Sequence, residues 1–164
     1  MHLSKRISFK CTSLISVIAS KKDRITISST RIKEEIQNGR ILQANNLLGH
    51  KFSVSGNVVT GMKMGRKLGF PTANVNYDSS EKIIPKNGVY YTLTKVDEKE
   101  YLSVTNIGIK PSVQESNIVS IESHILDYNQ SIYDKQITII FIDRIRDEKK
   151  FNHLEDLIEQ IKRD

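Results

Sequence analysis

One cysteine, no tryptophan and three prolines in 164 residues already exclude several ways of building a protein. Cys11 has no partner for an internal disulfide, so the fold must be held by packing and hydrogen bonds, and the chain suits a reducing compartment such as the cytoplasm. No apolar run approaches the roughly 18 residues that suggest a membrane helix, so no membrane partner is expected. No Gly-Lys-Ser or Gly-Lys-Thr closes a glycine loop, which excludes the Walker type of phosphate site. His2, His50, His124 and His153 are scattered, with no second ligand at local metal spacing. There is no internal repeat and no low-complexity stretch.

Acidic residues are short overall, giving a net charge of +6, but the deficit is local. Residues 1–40 hold nine Lys and Arg against three Asp and Glu, whereas residues 41–164 hold sixteen of each. A neutral main segment with no aromatic-basic interleaving argues against a nucleic-acid groove. The basic start, with Lys5, Arg6, Lys10, Lys21, Lys22 and Arg24, has the composition of a transit peptide, but the β-branched run Phe9–Ile18 is more simply a strand.

The length suits one domain with its own core and a small appendage. Ile32 and Ile36 before Gly39 predict a helix capped by Ser28 or Ser29, and Ile41–Leu48 predicts a second with Ala44, Leu47 and Leu48 on one face, ending at Gly49. From Lys51 the period changes to two. Strands are expected at 52–60, 89–96, 101–107, 118–126 and 136–145, with a bulge at Gly56 and a hairpin across Asp97–Glu100. Residues 108–117 read as a loop. Phe151, Leu154, Leu157, Ile158 and Ile161 predict a closing amphipathic helix, with Asn152 and Glu155 as its capping box. Antiparallel strands with short turns and one closing helix indicate a small barrel.

The stretch Gly65-Arg66-Lys67-Leu68-Gly69-Phe70-Pro71-Thr72-Ala73-Asn74 is the richest in chemistry. Clusters of Gly, Lys and Pro are more often plain turns. Here, however, two glycines allow close approach of a ligand, two cations lie between them, and a rigid proline precedes a hydroxyl and a carboxamide. In an extended segment Thr72 and Asn74 share a side, so both oxygens can face one hard cation held by phosphates. Ser120, Glu122 and His124 likewise share a face of their strand, where a glutamate is ordinarily just solvated.

Gly56, Gly61 and Gly65–Asn74 with its Pro-Thr-Ala-Asn ending, followed in order by Asn87-Gly88-Val89-Tyr90, Asn106-Ile107-Gly108 with Pro111, Ile121–Ile125, Ile132-Tyr133 and Arg146–Phe151, resemble the riboflavin kinases. The match is with the kinase module of bacterial bifunctional riboflavin kinase/FAD synthetases and covers about residues 25–164. It implies a mainly β, antiparallel Greek-key barrel with a C-terminal helix and short N-terminal helices. It divides the chain into residues 1–49, the remnant end of an adenylyltransferase module, and residues 50–164, the kinase domain. It implies transfer of the γ-phosphate of ATP to the ribityl 5′-hydroxyl of riboflavin, giving FMN, with Mg²⁺ as cofactor. It makes Glu122 the catalytic base, with His124 as its rival and support. It assigns Gly61, Arg66, Thr72 and Tyr133 to ATP, Thr72 and Asn74 to the metal, and Arg146 and Phe151 to the flavin. The partners implied are small molecules, ATP and riboflavin, with FAD synthesis left to a separate adenylyltransferase chain.

Two departures stand out. Ser112-Val113 replaces the expected Thr-Phe after Pro111, and Asp134 follows Tyr133 where the resemblance expects glycine. The alternative reading is a non-catalytic flavin- or nucleotide-binding remnant of a longer gene.

Overall fold

In the computed structural model, which describes residues 27–61, 69–77, 83–110, 118–149 and 159–160, two helices precede six strands. Helix α1 (Ser29–Gln37) begins where Ser28 Oγ accepts a hydrogen bond from the Arg31 amide at 3.2 Å, satisfying one of the four unpaired N–H groups of a helix start. Gly39 ends the turn with φ +76°, and α2 (Ile41–Leu48) ends at Gly49 with φ +74°, the left-handed cap that glycine adopts without strain.

The strands are β1 (Ser53–Val59), β2 (Thr72–Asn76), β3 (Gly88–Val96), β4 (Lys99–Lys110), β5 (Ile118–Ile125) and β6 (Gln136–Arg146). They close into an antiparallel barrel in the order β1-β2-β5-β4-β3-β6. Three successive strands, β3 to β5, form a meander, and β6 returns to lie beside β3, which is the Greek-key connection. The expected fold class holds. Closure leaves no unpaired edge. The β3–β4 turn is tighter than expected. Only Asp97 and Glu98 form it, at φ +47° and +68°, as a two-residue turn with both central residues left-handed requires.

Alternation sorts each strand into an inner and an outer face. Val54, Val58, Ala73, Val75, Tyr90, Val96, Ile107, Ile121, Ile125, Ile137, Ile139 and Phe141 pack inside. A fully buried Ile or Phe contributes about 1.5–3 kcal/mol. Ile41 of α2 joins the same cluster, and Asn45 beside it donates to the Phe141 carbonyl at 3.0 Å and accepts from the Phe52 amide at 2.7 Å. Helix α2 is therefore packed onto the barrel, with α1 against it.

Two expectations change. Gly56 is not a bulge: it pairs opposite Ile137 in an unbroken ladder, and a Cβ there would run into the Asn76 carbonyl, so the close approach is by backbone. The bulges lie on β6, where the register against β3 shifts twice. Residues 108–110 continue β4 instead of opening a loop. The expected strand at 9–18 lies outside the described residues, as does most of the expected closing helix, of which Glu159 and Gln160 are described and helical.

Candidate active site

The Pro71–Asn74 stretch is extended, and its last three residues open β2, which pairs antiparallel with β5 so that Thr72 lies opposite His124 and Asn74 opposite Glu122. Directly paired residues project from the same face of a sheet. Thr72 Oγ1 accordingly donates to Glu122 Oε2 at 3.3 Å across the outer wall of the barrel. On the far side of β5, Glu122 is also opposite Asn106 of β4. One lateral row thus reads Asn74, Glu122, Asn106, a carboxylate between two carboxamides.

Gly61 belongs to this group for a steric reason. A Cβ at residue 61 would overlap the Asn74 carboxamide, so only glycine lets the loop after β1 close over that side chain. Glu148, beyond β6, receives a long hydrogen bond from Asn106 Nδ2 at 3.4 Å and occupies the space that a Cβ on Gly108 would need. A second carboxylate therefore approaches the row. Nothing in the residue pattern had singled out Asn106 or Glu148 individually; the only signal was the place of Asn106-Ile107-Gly108 and Arg146–Phe151 among the ordered motifs.

His124 Nδ1 lies 2.8 Å from the Pro71 carbonyl, which can only accept, so this nitrogen carries the proton. The ring also meets Phe70 edge to face, with centroids 5.6 Å apart. Both contacts brace the turn that delivers Thr72, a supporting position.

A cavity of about 460 Å³ opens beside this face, at the end of the barrel, lined by Val58, Pro71, Thr72, Ala73, Ser123, Ile125 and the 128–133 segment. Tyr133 shares it with Thr72 and keeps 37% of its surface exposed. Mixed aromatic, aliphatic and hydroxyl walls suit a flat base with a polar tail. Asp134, where a glycine was expected, has φ +62° and donates its amide to the Val58 carbonyl at 2.9 Å. The left-handed backbone accounts for the expected glycine, and aspartate is among the residues that tolerate it.

Arg146 lies at the end of β6 opposite Val89, which is itself opposite Asn106, so the row continues Glu122, Asn106, Val89, Arg146. At about 4.8 Å per strand, Arg146 stands some 14 Å along the wall from Glu122. Gly61, Thr72, Asn74 and Glu122 thus form one cluster, with Tyr133 on one side and Arg146 on the other. Arg66 and Phe151 lie outside the described residues, as does the Ser112-Val113 departure. Among the described residues no group of three His, Cys, Asp or Glu could hold a metal by itself. The donors that are present, a hydroxyl, a carboxamide oxygen and a nearby carboxylate, suit Mg²⁺ brought in on phosphates, which needs few protein ligands. No described helix is long and apolar enough to cross a membrane.

Residues 48–164 match the family model for riboflavin kinase, the flavokinase domain. The bifunctional riboflavin kinase/FMN adenylyltransferase of Bacillus subtilis (strain 168) is 44% identical over 140 residues, covering 84% of this chain and 44% of the relative. The protein of that description from Buchnera aphidicola subsp. Schizaphis graminum is 39% identical over 166 residues, covering 99% of this chain and 52% of its own length. The chain spans about half the length of the curated relatives it matches. A solved structure from Streptococcus pneumoniae, described as a macrolide-efflux protein, superposes with a TM-score of 0.80 at 32% identity, over 90% of this chain and 47% of that one.

Proposed function

We propose a function from one premise: the chain belongs to the riboflavin kinase family. On that premise it transfers the γ-phosphate of ATP to the 5′-hydroxyl of riboflavin, releasing FMN and ADP. The observation that carries this reading is the juxtaposition of Thr72, Asn74 and Glu122 on one outer face, with the Thr72 hydroxyl donating to the Glu122 carboxylate at 3.3 Å. Phosphoryl transfer needs a positioned nucleophile and neutralised charge more than covalent help.

In this proposal the adenine nucleotide occupies the cavity shared by Thr72 and Tyr133, with Gly61 and Arg66 at its phosphates. Thr72 and Asn74, together with those phosphates, would hold Mg²⁺, which would supply charge neutralisation. Riboflavin lies on the other side of Glu122, its ring against Arg146 and Phe151. Glu122 takes the proton from the attacking hydroxyl, and the two flanking carboxamides leave its carboxylate at the centre of the face. The division into residues 1–49 and a kinase domain at 50–164, and a cytoplasmic setting that supplies ATP, belong to the same proposal.

The test is incubation of the purified chain with riboflavin, ATP and Mg²⁺, followed by separation of the flavins. FMN appearing in proportion to chain and ATP is the expected result. No FMN from a folded chain that binds riboflavin would favour a binding remnant instead.

A further inference from the structure

We propose that Arg144 is a positioning residue, a strut that sets the riboflavin side of the site from the turn between α1 and α2. The proposal rests on the placement of riboflavin beside Arg146. Its origin is the irregular end of β6. The register pairs Thr92 with Phe141, Tyr91 with Asp143, Tyr90 with Arg144 and Val89 with Arg146, so two β6 residues are skipped in three steps. A regular strand would have placed Arg144 opposite Val89. The two bulges instead give that outer position to Arg146 and bring Arg144 opposite Tyr90 at the barrel end, the re-aiming that bulges produce.

There Arg144 is wedged from several directions. Its Nη2 donates to the Asn87 carbonyl at 2.6 Å and to Asp147 Oδ1 at 2.7 Å. Its guanidinium carbon lies 5.9 Å from the centre of the Tyr90 ring. A Cβ added at Gly39 would come within 2.6 Å of Arg144 Cδ, and one at Gly88 within 2.6 Å of Nη2. Two glycines therefore make the slot in which the side chain lies. Because Asp147 separates Arg146 from Glu148, the grip on Asp147 fixes the segment that carries both, and Glu148 in turn meets Asn106, the lateral neighbour of Glu122. The nucleotide cavity is lined by β1, β2 with Pro71 before it, β5 and the 128–133 segment, and shares none of these residues.

That separation gives the test. In Arg144→Met, and in Gly39→Asn, where asparagine accepts the left-handed backbone but its Cβ displaces Arg144, kcat/KM for riboflavin should fall by a factor on the order of 10 to 100, while KM for Mg²⁺-ATP stays within about twofold. Asp147→Asn, at an exposed position, should give a smaller loss of the same kind. A merely structural Arg144 would instead shift kcat/KM for riboflavin and KM for Mg²⁺-ATP together. Riboflavin and ADP affinities measured by calorimetry on the same proteins keep the two readings apart. A wild type that makes no FMN would overturn the functional proposal. An active wild type beside variants with unchanged riboflavin affinity and kcat/KM would overturn the role of Arg144.

Discussion

Thr72 does two things with one hydroxyl: its proton goes to Glu122, which leaves both lone pairs for a cation. Asn74 offers only its carbonyl oxygen for that purpose. Thr72→Val and Asn74→Leu each remove an oxygen at roughly constant volume, so both should reduce kcat/KM for Mg²⁺-ATP on the order of 100-fold and leave riboflavin affinity nearly unchanged. Titrating Mg²⁺ against each variant checks this; an unaltered metal dependence in both would take β2 out of the site. Asp147 gives a pH prediction at the same scale. Its hydrogen bond to Arg144 holds its carboxyl below the usual 3.8. A carboxylate depressed on folding stabilises the native state fully above that value and loses its contribution as pH falls through the lower folded pKa. Melting temperatures measured between pH 5 and pH 2 should therefore drop more steeply for the wild type than for Asp147→Asn. Parallel curves would show that the clamp adds nothing to stability.

At the scale of the element, the inner wall of β3, β4 and β5 is unlike an ordinary barrel core. Thr92, Thr94, Ser103, Thr105 and Ser123 are fully buried and bond to one another: Thr92 Oγ1 is 2.8 Å from both Ser103 Oγ and Thr105 Oγ1, and Thr94 Oγ1 is 2.9 Å from Ser123 Oγ. The period of two is plain in the sequence, but alternation defines two faces without saying which is inside. In β3 the Thr92 and Thr94 face would be taken for the wet one, yet Leu93 is the partly exposed residue between them. The hydroxyls go inside because each finds a partner on another strand of the same wall, which no local pattern reveals. Ser123 lies between Glu122 and His124, so this network also fixes the strand that carries the proposed base. Thr92→Val keeps the shape and removes the hub, leaving Ser103 and Thr105 short of a partner at a cost of about 1–3 kcal/mol. Chemical denaturation of the variant checks that value, and wild-type stability would contradict the description of the core.

For the whole molecule, what was legible followed from local chemistry. Gly39 and Gly49 marked the helix ends, the Asp97–Glu100 run marked the β3–β4 hairpin, though not the tightness of its turn, and the spacing of Thr72 and Asn74 put them on one face. Glu122 read alone was an ordinary solvated residue, and only the run of ordered motifs lifted it. What was not legible depends on partners distant in sequence. Asn45 reaches a carbonyl 96 residues away, and the β6 bulges exist only in relation to β3. Neither leaves a periodic trace. Glu122, at the centre of the outer face, is the residue on which the proposed transfer depends. The direct measurement is FMN formation by Glu122→Gln beside the wild type, with riboflavin and nucleotide binding followed on the same samples. Glutamine keeps the shape and loses the proton acceptor, so the rate should fall by a factor on the order of 100 to 10,000 while both substrates still bind. Near-normal turnover in Glu122→Gln, with the loss appearing in His124→Ala instead, would show that Glu122 is not the base.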